Sequence, residues 1–214
     1  MKIGVFDSGI GGTTVLAAIK NILPDEEYKY IADSKNCPYG EKSEEELKQI
    51  VSKNTEELKD WGAEIIVIAC NTATTKCINY LREKYSELKF VGTEPAIKLA
   101  AETNAKNILV MATPGTIASE RTKSLAEENK REGQNITLLA CPGLADTIEQ
   151  KLDINKKLAE LFQDLKNENY EPDVIVLGCT HYSLIKPDIQ SFFPSAKLVD
   201  GNEGVANRVK ELIQ

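Results

Sequence analysis

The 214 residues carry 26 lysines and arginines against 33 aspartates and glutamates, a formal net charge of −7. No basic block offsets this acidity, which argues against nucleic acid or an anionic membrane surface as a partner. With 42% hydrophobic residues the chain can bury a substantial core, as one large domain or as two small ones sharing a cleft. The opening residues, "MKIGVFDSGIGG", lack the apolar region of a signal peptide. No apolar run approaches the ~18 residues of a membrane span. A soluble, cytoplasmic protein is expected.

In chain order, eight short apolar runs read as strands, beginning near Lys2, Tyr28, Glu64, Lys89, Asn107, Ile136, Asp173 and Lys197. Amphipathic stretches such as Glu44–Lys59 and Ile154–Lys166 separate most of them and read as helices. This alternation implies parallel sheets covered by helices. The start-to-start spacings are 26, 36 and 25 residues in the first four strands and 29, 37 and 24 in the second four. That agreement marks an internal repeat.

The strand ends match as well. "VFDSGIGG" corresponds to "MATPGTIA", "NCPYG" to "ACPGL", and "ACNTAT" to "GCTHYS". The prediction is two similar α/β lobes related by a pseudo-twofold axis, residues 1–93 and 94–201. A final helix over 202–214 is expected to return to the first lobe. Ligands of such sheets bind beyond the carboxyl ends of the strands, where all six matched segments lie.

The repeat places Cys70 and Cys179 at equivalent strand ends, on opposite sides of the expected cleft. Buried cysteine is ordinarily a small hydrophobe. Here each thiol precedes a polar turn, and a helix start after it would favour the thiolate. Cys37 and Cys141 form a second equivalent pair, each before proline, for which an ordinary packing role is at least as good a reading. Cys77 reads as structural. The odd count of five and the wide spacing point away from a disulfide framework. With His181 the sole histidine, a His/Cys metal site would need distant partners, and no metal is expected.

Asp7 and Ser8 follow the first strand, and glycines at 9, 11 and 12 permit close backbone approach and an exposed helix start. A phosphate loop is disfavoured, because neither G-K-[ST] nor G-x-G-x-x-G is present. A carboxylate would also suit such a helix start. Asn71, Thr72, Thr113, Thr116 and Thr180 are ordinary helix-capping types, but together at strand ends they would cage a small zwitterion. His181, two residues past Cys179, could hydrogen-bond a reacting thiol and carry a proton near neutral pH. Two thiols on opposite faces of one small molecule suit inversion at carbon: one removes a proton and the other returns one to the opposite face.

At this point the motifs "FDSGIGG", "PYG" at 38–40, "ACNTAT", "ATPGTIAS" and "LGCTHYS" together resemble the glutamate racemases of the aspartate/glutamate racemase superfamily. The resemblance runs from Lys2 to about Leu212. It implies racemisation of glutamate without a cofactor, supplying D-glutamate for bacterial peptidoglycan. It implies that Cys70 takes the α-proton of D-glutamate with help from Asp7. Cys179 would take that of L-glutamate with help from His181. Substrate contacts are implied for Asp7, Ser8, Pro38, Tyr39, Gly40, Asn71, Thr72, Thr113, Thr116, Thr180 and His181. Glu149, in "DTIEQ", falls where the family often has a glutamate near that histidine.

The chain departs from the family pattern in three places. Ser183 replaces a common proline, Cys37 fills a variable position before "PYG", and 35 residues follow Cys179 where relatives usually continue with another strand and helix. Three alternatives stand beside this reading. They are a racemase of aspartate or another acidic amino acid, a non-catalytic amino-acid-binding protein, and a redox-active dithiol. A small-molecule substrate is the expected partner, and a homodimer is a further expectation.

Overall fold

The computed structural model describes residues 1–214. The first half runs β1 (Lys2–Asp7), α1 (Thr13–Ile22), β2 (Glu27–Ala32), α2 (Glu44–Asp60), β3 (Ile65–Ile68), α3 (Asn71–Lys84) and β4 (Lys89–Gly92). The second runs α4 (Ile97–Ala101), β5 (Asn107–Ala112), α5 (Pro114–Ala118), α6 (Glu120–Asn129), β6 (Asn135–Ala140), α7 (Leu144–Glu149), α8 (Ile154–Leu161), α9 (Gln163–Asn167), β7 (Val174–Gly178), α10 (Lys186–Phe192), β8 (Lys197–Val199) and α11 (Asn202–Ile213). Each expected strand is present, its start displaced by at most one residue.

Two four-stranded sheets result, ordered β2-β1-β3-β4 and β6-β5-β7-β8. All pairs are parallel, with Ile3 opposite Ile65 in one sheet and Ile108 opposite Val174 in the other. The two orders are identical once the second is renumbered, so the repeat in sequence is a repeat in topology. Helices cover both faces, and inner strands are therefore apolar on both sides. Ile65 to Ile68 in β3 and Val174 to Gly178 in β7 are buried throughout. Each sheet accordingly separates two cores. Phe6, Ile66 and Leu81 belong to one side of the first sheet, and Ile3, Val67 and Val15 to the other.

Helix α2 illustrates the local logic. Ser43 caps it, its side chain accepting the Glu46 N–H at 3.2 Å, and Leu47, Val51 and Leu58 bury one stripe against the first sheet. Helix α11 lies along α1 and buries Val205, Ala206 and Val209 with Val15 and Ile19.

The stretch Ile154–Lys166, expected as one helix, is instead divided into α8 and α9 at Phe162. The chain there continues through Phe162 N–H to the Leu158 carbonyl at 2.9 Å and Lys166 N–H to the Phe162 carbonyl at 3.0 Å. What bends it is tertiary packing. Phe162 is fully buried, edge-on to Phe192 at 5.4 Å and Phe193 at 5.0 Å. The gain from seating that ring outweighs the loss of regular helix geometry.

In both sheets the connections leave the first strand in one direction and return across it to the third. The crevices between β1 and β3, and between β5 and β7, are therefore the topological switch points at which loops diverge. Asp7 ends β1 and Cys70 follows β3, while Thr113 and Cys179 follow β5 and β7.

Candidate active site

A small cavity of about 10 Å³ lies where the two switch points meet, bounded by Cys70 and Cys179. Ser8, Pro38, Tyr39, Gly40, Asn71 and Thr72 line it from the first half of the chain, and Thr113 lines it from the second. Ala145 and Gly178 complete the wall, and neither was singled out from sequence. Alanine and glycine at such positions carry no chemical signal; they matter through their small size. The volume is about that of a single water. In this conformation the space between the thiols is smaller than an amino acid. A larger cleft of about 1190 Å³, between α3, β4, α4 and α11, contains neither thiol.

Asp7, Thr116, Thr180, His181 and Glu149 stand behind this wall rather than in it. Asp7 is fully buried; its Oδ2 accepts the Gly12 N–H at 2.7 Å and the Thr180 hydroxyl at 3.1 Å, while Oδ1 has no partner. Burial raises the Asp7 pKa above the usual carboxylate value, opposed by the charge of His181 and by those hydrogen bonds. Thr72, Thr113 and Thr116 form a closed triangle of hydroxyls at 2.8, 3.1 and 3.0 Å, tying α3 to α5. The Tyr39 hydroxyl donates to Asp33 at 2.7 Å and accepts from Asn54 at 3.1 Å, so its polar end is already engaged.

His181 connects the second thiol to the other half of the molecule. Its Nδ1 lies 3.9 Å from Cys179 Sγ, and its Nε2 lies 2.7 Å from Glu149 Oε2. Glu149 in turn accepts the Ile10 N–H at 3.0 Å and the Ser34 hydroxyl. The exposed helix start in "SGIGG" is therefore occupied by carboxylates of the protein itself, Asp7 and Glu149. Gly9 and Gly11 serve close packing between halves, and Gly12 packs against Asp7 and Tyr30 within its own. A Cβ on Gly9 would stand 2.3 Å from Glu149 Oε2, and one on Gly11 would stand 2.5 Å from the His181 backbone nitrogen.

Burial pushes the Glu149 carboxyl up, but the Ser34, Ile10 and His181 hydrogen bonds outweigh it and leave the pKa below 4.5. A depressed folded-state value contributes stability above the unfolded pKa, and that contribution is lost as pH falls through the folded one. Glu149→Gln is expected to cost about 1.5–3 kcal/mol near neutral pH, the range for hydrogen bonds to a charged group. Thermal midpoints of the two proteins, measured from neutral pH to below 4.5, are expected to converge in the acid limb. A constant difference throughout would show that the Glu149 charge does not hold the halves together.

The thiols depart from expectation. The N–H groups of Ala73 and Thr72 at the start of α3, with the Ser8 hydroxyl, do favour a Cys70 thiolate, but burial and the charge of Asp7 outweigh them and push this thiol up to about 12. Cys179 is followed by a short 3-10 turn, Thr180–Ile185, rather than an α-helix. Burial and the neighbouring Cys70 and Asp7 raise it well above the usual thiol value. At Cys70 the helix start is present, but desolvation is the larger effect. Cys141 and Cys77 sit in hydrophobic cores, and all five cysteines are free thiols. Cys37 is half-buried and within reach of Glu149 and His181, so the distant partners a His/Cys metal site would need do converge.

The chain as a whole is similar to known proteins. Residues 3–209 match the model of the Asp/Glu/Hydantoin racemase family. Glutamate racemase of Clostridium acetobutylicum is 40% identical over 212 residues, covering 97% of this chain and 82% of that one. Glutamate racemase of Campylobacter curvus is 41% identical over 221 residues, covering 98% and 82%. The crystal structure of Escherichia coli glutamate racemase, in complex with L-glutamate and the activator UDP-MurNAc-ala, superposes with a TM-score of 0.91 at 32% identity, covering 99% and 82%. With the doubled sheet topology, the paired strand-end thiols and these likenesses together, the chain belongs to the Asp/Glu/Hydantoin racemase family.

Proposed function

We propose that this protein interconverts L- and D-glutamate by proton transfer at the α-carbon between two thiols, without a cofactor. The observation that carries the reading is that Cys70 and Cys179 both line one cavity, just past equivalent ends of β3 and β7. The family and the glutamate racemases similar to this chain favour glutamate as substrate.

In this mechanism the Cys70 thiolate takes the α-proton of D-glutamate, and the C–H electron pair remains on the substrate as a carbanion. Cys179 S–H then donates its proton to the opposite face. L-Glutamate leaves, with Cys70 protonated and Cys179 a thiolate, ready for the reverse direction. Asp7 supports Cys70 and His181 supports Cys179. The raised thiol values make the substrate's ammonium important, because a cation brought into this buried space favours thiolate formation. The unpartnered Asp7 Oδ1 is a natural acceptor for that ammonium. Asn71 and Thr72 at the start of α3, with Thr113, Thr116, Thr180, Ser8 and the Pro38–Gly40 segment, suit the substrate's polar groups. Closure around the substrate excludes water and fixes the donors that stabilise carbanionic charge.

Residues 1–93 and 94–201 act as the closing lobes, with 202–214 joining the first. The protein acts in the cytoplasm and provides D-glutamate for peptidoglycan, with a homodimer as the assembly to test. No helix is long and apolar enough to cross a membrane. The test is α-proton exchange in D₂O, read by NMR, with circular dichroism following inversion, on L-glutamate, D-glutamate and both aspartates. Exchange and inversion of glutamate in preference to aspartate is expected. Faster turnover of aspartate would move the substrate assignment, and binding of glutamate without exchange would remove the enzymatic one.

A further inference from the structure

Cys37, Glu149 and His181 each offer one ligand atom, and the three atoms lie within 4.8 Å of one another. Cys37 comes from the segment after β2, Glu149 from the end of α7, and His181 from the turn after β7. The group therefore bridges the two halves of the molecule. We propose that Cys37, Glu149 and His181 form a binding site for a thiophilic divalent cation of the zinc class, and that the bound ion holds the cavity shut and inhibits the enzyme.

The donor set is the first argument. One thiolate, one imidazole and one carboxylate match zinc and its neighbours, whereas magnesium and calcium prefer oxygen alone. A thiolate and a carboxylate also neutralise a divalent ion, so the complex would be uncharged in a half-buried place. Zinc bonds of about 2.0–2.3 Å place tetrahedral ligand atoms roughly 3.3–3.6 Å apart. The widest pair, within 4.8 Å, would close by at most about 1.5 Å, and the His181 Nε2 to Glu149 Oε2 contact would open from 2.7 Å to admit the ion. Three protein ligands leave a fourth position for water.

The proton balance is simple. The Cys37 S–H bond breaks as the metal–sulfur bond forms, and that proton leaves to solvent. His181 binds through Nε2 as a neutral imidazole: the Nε2 lone pair goes to the metal, one proton resides on Nδ1, and any second ring proton leaves to solvent. Nδ1 is the nitrogen 3.9 Å from Cys179 Sγ. The ion would thus fix the tautomer of the group beside Cys179 and displace the Glu149–His181 hydrogen bond. It would also replace part of the hydrogen-bonded junction between Glu149, Ser34 and Ile10 with coordinate bonds across the halves. With a cavity of about 10 Å³ between the thiols, a molecule stapled in this way admits no amino acid. Zinc and glutamate would therefore compete.

The site itself rests on geometry alone, and only its inhibitory consequence rests on the racemase reading; direct binding and activity are therefore measured separately. Metal-free full-length protein is titrated with zinc by calorimetry, and with cobalt while recording the thiolate-to-metal charge-transfer band. Wild type and Cys37→Ser are compared, because Cys37 lies outside the cavity wall. Wild type is expected to bind one zinc per chain, to show the band with cobalt, and to lose affinity for zinc as glutamate is added. Cys37→Ser is expected to lose the band and to bind zinc roughly tenfold or more weakly. It should racemise glutamate as wild type does without metal and resist zinc inhibition. Equal zinc affinity in Cys37→Ser would show that Cys37 does not hold the ion and overturn the proposal, as would no binding by wild type at millimolar zinc. Binding through Cys37 with no glutamate turnover in any protein would leave the metal site standing and remove the racemase reading.

Discussion

Cys70→Ala and Cys179→Ala are each expected to lower glutamate racemisation by about 10³-fold or more, within the range for loss of a positioned acid or base. Inversion needs a proton removed on one face and returned on the other, so neither thiol can substitute for its counterpart. The two variants should nonetheless differ. Without Cys179 the Cys70 thiolate can still take the α-proton of D-glutamate and return a deuteron to the same face. Cys179→Ala is therefore expected to retain some exchange on D-glutamate only, and Cys70→Ala on L-glutamate only. Cys77, buried in the core behind Cys70, is the control, since it does not line the cavity. Cys77→Ala should racemise normally. Racemisation within tenfold of wild type in either Cys70→Ala or Cys179→Ala would end the two-thiol mechanism. Exchange on the opposite enantiomers would reverse the assignment of faces.

Gly11→Ala is expected to reduce kcat/KM by about 100-fold, the loss associated with misplacing catalytic groups by about an ångström. A Cβ at position 11 would stand 2.5 Å from the His181 backbone nitrogen, 2.6 Å from Thr180 Oγ1 and 2.8 Å from His181 Nδ1. A backbone atom cannot rotate away, so the loop and the turn after β7 must move apart. That movement carries His181 from Cys179 and Thr180 from Asp7. Within each sheet nothing need change, so far-UV circular dichroism should match wild type while solution scattering reports a larger radius of gyration. Gly204→Ala is the companion control, because a Cβ there meets nothing within 4 Å. A Gly11→Ala protein that racemises at the wild-type rate would show that contact at this point is not needed for catalysis.

Much of the architecture was legible without coordinates, for a local reason. A parallel strand buried on both faces must be written as a short continuous apolar run, and its carboxyl end must turn polar where the loops diverge. "IIVIACNTAT" and "VIVLGCTHYS" carry both signals. Eight strands, their doubled spacing and the two candidate thiols could therefore be read in order, and the family motifs fall on the same strand ends. The helix stripe Leu47, Val51 and Leu58 is equally local.

The remainder depended on residues far apart in the chain. Phe162 breaks a helix because Phe192 and Phe193 await its ring, thirty positions on. Glu149 bridges to Ser34 across 115 residues, and Thr180 to Asp7 across 173. The thiols are raised rather than lowered because folding buries both of them, beside Asp7 and one another, where a charge is poorly solvated. Cys37, Glu149 and His181 meet only because the fold brings together the segment after β2, the end of α7 and the turn after β7. Residue types and periodicity determined the elements and where chemistry could sit. Folding alone decided which side chains meet, how dry their surroundings are, and hence which protonation states they favour, because those properties arise from contacts between the halves.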